Sequence, residues 1–126
     1  MRLEVPAFVA SLLLLASPLG ASERRYVVCD NGLRCVTAPC PSSTALDLAT
    51  GEMFKGVRPD ISELAEADQR RIQDTDALYY GRLVLRGHLS DRDLPLAGKS
   101  VTLPSLVVTG IERAATSDER RFCPAD

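Results

Sequence analysis

"LRCVTAPCPS", residues Leu33–Ser42, holds Cys35 and Cys40 in one short segment, with Pro39 just before the second cysteine and Pro41 just after it. An extended chain leaving Cys35 would carry Cys40 beyond the roughly 4.4–6.8 Å Cα separation of a disulfide, so the two sulfurs meet only if the backbone reverses. Thr37-Ala38-Pro39 is turn material, and Pro39 narrows the backbone choices at such a reversal. Just upstream, Tyr26-Val27-Val28-Cys29 and Leu33-Arg34-Cys35-Val36 flank Asn31-Gly32, the pattern of a two-residue hairpin. In that register Cys29 stands opposite Arg34 and Val28 opposite Cys35, which sends Cys29 and Cys35 to opposite faces. The chain has four cysteines, Cys29, Cys35, Cys40 and Cys123, and spacing alone leaves three connectivities open. The hairpin geometry favours Cys35–Cys40 with Cys29–Cys123.

The N-terminus explains why disulfides are the natural reading. Arg2, offset by Glu4, precedes an apolar run from Pro6 to about Leu19, and small residues Gly20, Ala21 and Ser22 then lead into Glu23-Arg24-Arg25. This is the pattern of a secretory signal over residues 1–22, cleaved within 20–23 to leave one exported domain, 23–126. The apolar run is shorter than the roughly 20 residues of a membrane span. No cysteine follows it in lipobox position, and no later segment is apolar enough to span. The expected location is secreted or periplasmic, a compartment where cysteines pair. Zinc prefers closely spaced cysteine pairs, and His88 is the only histidine, so no metal ligand set and no cofactor is expected. A catalytic redox pair would want a CxxC, which is absent.

The net charge of −2 and the lack of a basic run argue against a nucleic-acid partner. The chain has no Trp and few other aromatics, so its core is modest and staples matter more.

After the cysteine segment, "STALDLAT" alternates Ala45/Asp47 with Leu46/Leu48 and reads as a half-buried strand. Gly51-Glu52 reads as its turn, and Met53–Val57 as a short further strand. Pro59-Asp60 opens a helical segment, with Asp60 or Ser62 as cap. Ile61, Leu64, Ala65 and Ile72 share its apolar face, and it is expected to run through Ala77 and Leu78 and stop by Gly81. "RLVLRGHL" is a strand in which Gly87 marks a bulge or bend. "SDRDLPLAGKS" reads as a polar loop, "VTLPSLVVTGIER" as strand broken near Pro104, and "AATSDERRFCPAD" as a polar tail pinned by Cys123. The expected order is strand, strand, strand, helix, strand, strand. That is an α+β fold, a small disulfide-stapled antiparallel sheet with one helix between strands three and four. An OB-like barrel and an open sheet both satisfy this order.

The run "YVVCDNGLRCVTAPCPS", with the alternating strand, the helix and "GRLVLRGHL" after it, resembles a family of small secreted bacterial domains of unknown function. The family's Asp-x-Gly-x-Arg-Cys…Pro-Cys motif falls on Asp30, Gly32, Arg34, Cys35, Pro39, Cys40 and Ser42. The likeness spans most of Tyr26 to about Arg113, and only the cysteine motif in it is specific. Cys29 and Cys123 stand outside the pattern, so the resemblance implies that they bond each other. It implies no activity and no catalytic residues.

The remaining chemistry is sparse. His88, Ser90 and Asp91 are close in sequence, but nearness along a strand is not triad geometry, and no Gly-x-Ser-x-Gly elbow exists. Asp91-Arg92-Asp93 lacks the rest of a calcium loop. No phosphate-cradling glycine motif is present. The chain is therefore expected to be a non-enzymatic secreted module that binds or supports an envelope or extracellular protein. Its candidate interaction loop is Val36, Thr37, Ala38, Pro39, Pro41 and Ser42. The alternative is a secreted protease inhibitor using that same braced loop, since bracing lowers the entropy cost of docking.

Overall fold

The computed structural model describes Arg2 and residues 23–126. The expected signal segment, 1–22, lies outside the described residues apart from Arg2. Six strands and one helix follow in the order β1 (Arg24–Asp30), β2 (Ser43–Asp47), β3 (Met53–Lys55), β4 (Arg58–Asp60), α1 (Glu66–Gln73), β5 (Leu83–Leu96) and β6 (Lys99–Ala114). All six strands lie in one sheet, ordered β3-β2-β1-β5-β6-β4. The α+β class holds, but the sheet is mixed rather than antiparallel, because β4 runs parallel to β6.

β1 is one of the two middle strands of the sheet. It pairs with β2 on one side (Tyr26 opposite Asp47) and with β5 on the other (Val27 opposite Val84). Tyr26, Val27, Val28 and Cys29 are all buried, so both faces of the strand are covered. An uninterrupted apolar run is what such a strand requires. Tyr26 and Val28 join the core with Ala45, Leu85, Leu106 and Val108, and Leu64 and Ile72 close it from the helical side. Val27 lies on the other face, beneath Gly81 and Cys123.

The expected Tyr26–Val36 hairpin does not form. Leu33–Val36 is not a strand, and Cys29 stands opposite Thr44 of β2 instead of Arg34. Side chains in the turn explain the departure. The Gly32 amide donates to Asp30 Oδ2 at 3.0 Å and the Leu33 amide donates to Asn31 Oδ1 at 3.0 Å. These local bonds compete with a ladder and lead the chain out of the sheet.

β3 and β4 occupy opposite edges of the sheet, yet only Gly56 and Val57 separate them. Both run in the same direction, so together they form one strand that changes partners at a kink. Gly56, at φ +81°, supplies a conformation that side-chain-bearing residues rarely adopt. The chain thus carries itself from one sheet edge to the other, while no ladder joins β3 to β4 among the described residues. The helix lies between β4 and β5, after this kinked strand.

The helix is also shorter than expected. Pro59-Asp60 pairs with β6 rather than opening it, and Asp60 Oδ1 accepts the Ser62 amide at 3.0 Å in a turn. Its N-cap is Ala65, with no side-chain cap. At the other end Thr75 Oγ1 donates to the Arg71 carbonyl at 2.7 Å, and Asp74-Thr75-Asp76 favours turns over further helix.

"SDRDLPLAGKS" is not a loop. It forms the far half of a long β5–β6 hairpin, turned by Ala97 and Gly98, both at positive φ as a two-residue hairpin turn requires. Nor does Pro104 break β6. Pairing with β4 begins one residue later, at Ser105, so its missing N–H removes no bond on that side. Gly87 does mark a register shift: a Cβ there would overlap the Val107 carbonyl oxygen.

Candidate functional site

Cys35 is bonded to Cys40 with Cα atoms 5.5 Å apart, and Cys29 to Cys123 with Cα atoms 5.6 Å apart. The first disulfide braces the connection between β1 and β2, residues 31–42. Its base is closed by the Asn31 amide donating to the Ser42 carbonyl at 2.8 Å and by Asn31 Nδ2 donating to the Pro41 carbonyl at 3.0 Å. Arg34 Nη1 pairs with the Asp30 carboxylate at 3.2 Å and donates to the Leu33 carbonyl at 2.9 Å. The Ala38–Pro39 peptide is cis. Residues 36–38 form a bend at the tip, and Val36 there is fully exposed.

Pro39 and Pro41 belong to more than the loop. With Val57 and Pro59 of the kinked strand and Leu103 and Pro104 of the β5–β6 hairpin, they line a cleft of about 320 Å³. Three segments far apart in sequence meet here because the kink at Gly56 brings the sheet edges to the foot of the loop. A neighbouring depression shares Pro41 and Gly56 with this cleft and adds Leu33 and Lys55. Sequence reasoning found the loop and missed the cleft.

The hairpin wall is held by Arg92. Its Nη2 lies 2.9 Å from Glu63 Oε1 and its Nε 4.0 Å from Asp60 Oδ2. Hydrogen bonding from Ser62 pulls the Asp60 carboxyl below the ordinary range against the effect of burial, and the charges of Arg92 and Arg58 add to the pull. Asp93 accepts from Thr102 Oγ1 at 2.7 Å, so the Asp91-Arg92-Asp93 run serves cross-strand contacts. No cluster of metal-ligating residues is present among the described residues.

His88 lines a separate, polar depression with Tyr26, Arg24, Asp47 and Glu52. Ser90 Oγ donates to the Asp91 carbonyl at 3.4 Å. Asp47 is committed to the β2–β3 turn and to Arg24: its Oδ1 accepts the Ala49 amide at 2.9 Å, and its Oδ2 accepts from Arg24 Nη1 at 3.0 Å. Burial pushes the Asp47 carboxyl up, but the Ala49 amide, Arg24 and the Thr50 amide together hold it below the ordinary range. Burial, with the Asp47 charge, raises Tyr26. Asp47 thus spends three acceptor positions on the Ala49 and Thr50 amides and on Arg24.

Comparison of the chain with protein-family models, with curated proteins and with solved structures finds no match.

Proposed function

We propose that this chain is an exported, non-enzymatic binding module of the cell envelope or extracellular space, and that it docks a protein partner through the braced loop Val36–Ser42. The observation that carries this reading is Val36, an apolar side chain wholly in solvent at the tip of a loop tied by a disulfide and two hydrogen bonds. A loop ordered in advance loses little conformational entropy on docking, and an exposed apolar residue at its tip is a natural anchor. Export is supported by two disulfides with no free cysteine among the described residues. No helix among those residues is long and apolar enough to cross a membrane.

We read the sheet as an OB-like, partly open barrel. Counting the kinked β3–β4 as one strand, the order is strand, strand, strand, helix, strand, strand, with the third parallel to the fifth. Barrels of this type bind on the face framed by the loop between strands one and two and the loop between strands four and five. The braced loop and the long hairpin are those two connections, which is fold-level analogy in support of the same surface. Protease inhibition is the second reading, favoured by the brace alone. The bend at residues 36–38 counts against it, since a protease binds its substrate extended.

The test is a photo-crosslinking residue at position 36 of the exported protein, compared with one at Arg70 on the outer helix. Crosslinks to a discrete envelope protein from position 36, absent from position 70 and lost in a Val36→Asp background with the crosslinker moved to Thr37, are expected. Equal crosslinking from both positions refutes the docking role. Protease inhibition that disappears in Cys35→Ala/Cys40→Ala would put the inhibitor reading first, and hydrolytic activity lost in His88→Ala would overturn the non-enzyme reading.

A further inference from the structure

We infer that the cleft at the foot of the braced loop binds a free medium-chain alkyl carboxylate, its chain lying along the prolines and its carboxylate against Arg58. This goes further than the docking reading and shares with it only the assignment of this face as the working surface.

Size and shape come first. A cleft of about 320 Å³ is at the lower end of the roughly 300–1,000 Å³ range of small-ligand sites. Its walls are stiff: Pro39 and Pro41 sit in the disulfide-braced segment, Pro59 in the kinked strand, and Pro104 in a hairpin tied by Arg92 to Glu63. A site formed in advance spares the ligand the cost of ordering it.

Polarity selects the body of the ligand. Four of the eleven lining residues, Pro39, Pro41, Pro59 and Pro104, have no backbone N–H. An extended peptide added as a strand draws on backbone donors along its length. Here the prolines remove them at four positions and the Ser42 and Gly56 amides are already donated to the Cys40 and Ser43 carbonyls, leaving Ser42, Ser43 and Arg58 as the polar side chains of the lining. An alkyl chain asks for no hydrogen bonds and gains roughly 0.8 kcal/mol per buried CH₂.

Charge selects the head group. The protein carries a net charge of −2, yet Arg58 is the only charged residue lining the cleft and Lys55 the only one lining the adjoining depression. Among the described residues neither takes part in an ion pair. Asp60, the carboxylate that feels Arg58, is engaged by Ser62 and lies near Arg92, outside the lining. An arginine lining an apolar cleft with no acid in that lining can pair a carboxylate through charge-assisted hydrogen bonds.

The experiment titrates the exported protein with sodium decanoate, kept below its micelle concentration, and with decanol, following backbone amide shifts. Saturable decanoate binding is expected, with shifts centred on Cys40, Ser42, Gly56, Val57, Arg58 and Leu103. Decanol should bind about tenfold more weakly, and Arg58→Gln should weaken decanoate about tenfold while leaving decanol unchanged. Leu103→Glu, which places an acid in the cleft at a half-buried position, should abolish decanoate binding in a protein that still folds. No saturable binding, shifts centred elsewhere, or equal affinity for acid and alcohol overturns the proposal. Crosslinking from position 36 that persists when decanoate fails to bind would remove this inference and leave the docking role standing. Decanoate binding without such crosslinks would do the reverse.

Discussion

Gly87 and Arg113–Glu119 show how single residues carry structure here. At Gly87 the β5–β6 register shifts, and any Cβ would run into the carbonyl oxygen of Val107, a backbone atom of the neighbouring strand. Backbone cannot swing aside as a side chain can, so Gly87→Ala is expected to cost about 2–3 kcal/mol through overpacking and loss of the bulge. A lowered urea midpoint with unchanged m-value checks this, and an unchanged midpoint would show that the bulge tolerates a side chain. Glu119 accepts both guanidinium nitrogens of Arg113, at 2.7 and 2.8 Å, and the Thr116 amide at 3.0 Å. The Arg113 hydrogen bonds, followed by that amide, lower its carboxyl from the ordinary 4.5 to about 2. A group whose folded-state pKa is depressed contributes fully above its unfolded value and loses the contribution as pH falls through the folded one. The tail should therefore loosen between about pH 4.5 and 2. Protection factors at residues 115–122, corrected for the intrinsic pH dependence of exchange, are expected to fall over that window in the native chain and to fall less in Glu119→Gln, where the Asp118–Arg121 and Asp126–Arg120 pairs remain to titrate.

Among the elements, those with a local cause were legible and those with a remote cause were not. β1 announces itself as four consecutive apolar residues, and it is buried on both faces. The helix was visible in its 3.6-residue spacing, but its length was overestimated at both ends. Asp60 is taken by a turn and a parallel strand, and Asp74-Thr75-Asp76 stops the helix well before Gly81. The outer β5–β6 hairpin was misread because its charges and prolines suggested a loop. Its alternation was present nonetheless: Leu94 faces Val101 and Arg92 faces Leu103, while Asp93 and Thr102 share the other face. The Asn31-Gly32 hairpin failed for the opposite reason. The turn chemistry was real, but Asp30 and Asn31 used it to leave the sheet.

At the scale of the whole molecule, the two disulfides have unequal roles. Cys29–Cys123 joins residues separated by 94 positions and ties the tail over the outer face of β1. A ring of that length stabilises by roughly 4–5 kcal/mol in the chain-entropy model, a large share of a small domain's 5–15 kcal/mol. Cys35–Cys40 closes a separation of 5 and, by the same relation, contributes about 2 kcal/mol. Cys29→Ala/Cys123→Ala should thus lower the denaturation midpoint about twice as far as Cys35→Ala/Cys40→Ala. The second pair should raise hydrogen exchange most in residues 36–42, whereas the first should raise it most in β1 and the tail bonded to it. A global loss from the second pair equal to the first would show that the loop is part of the cooperative fold.

Taken alone, the sequence determined what depends on near neighbours: the apolar strand at Tyr26–Cys29, the presence of a helix before Leu83, the bulge at Gly87, and a chain reversal between Cys35 and Cys40. Periodicity and spacing are local signals, and these features have local causes. Only the tertiary structure decided the pairings: β1 with β2 across a long loop, β3 and β4 as one kinked strand shared between two sheet edges, and β4 parallel to β6. The cleft belongs to the same category. Its walls come from the segments around Pro41, Val57 and Leu103, and nothing in any one of them records the other two, because contact between distant residues is set by how the sheet curls.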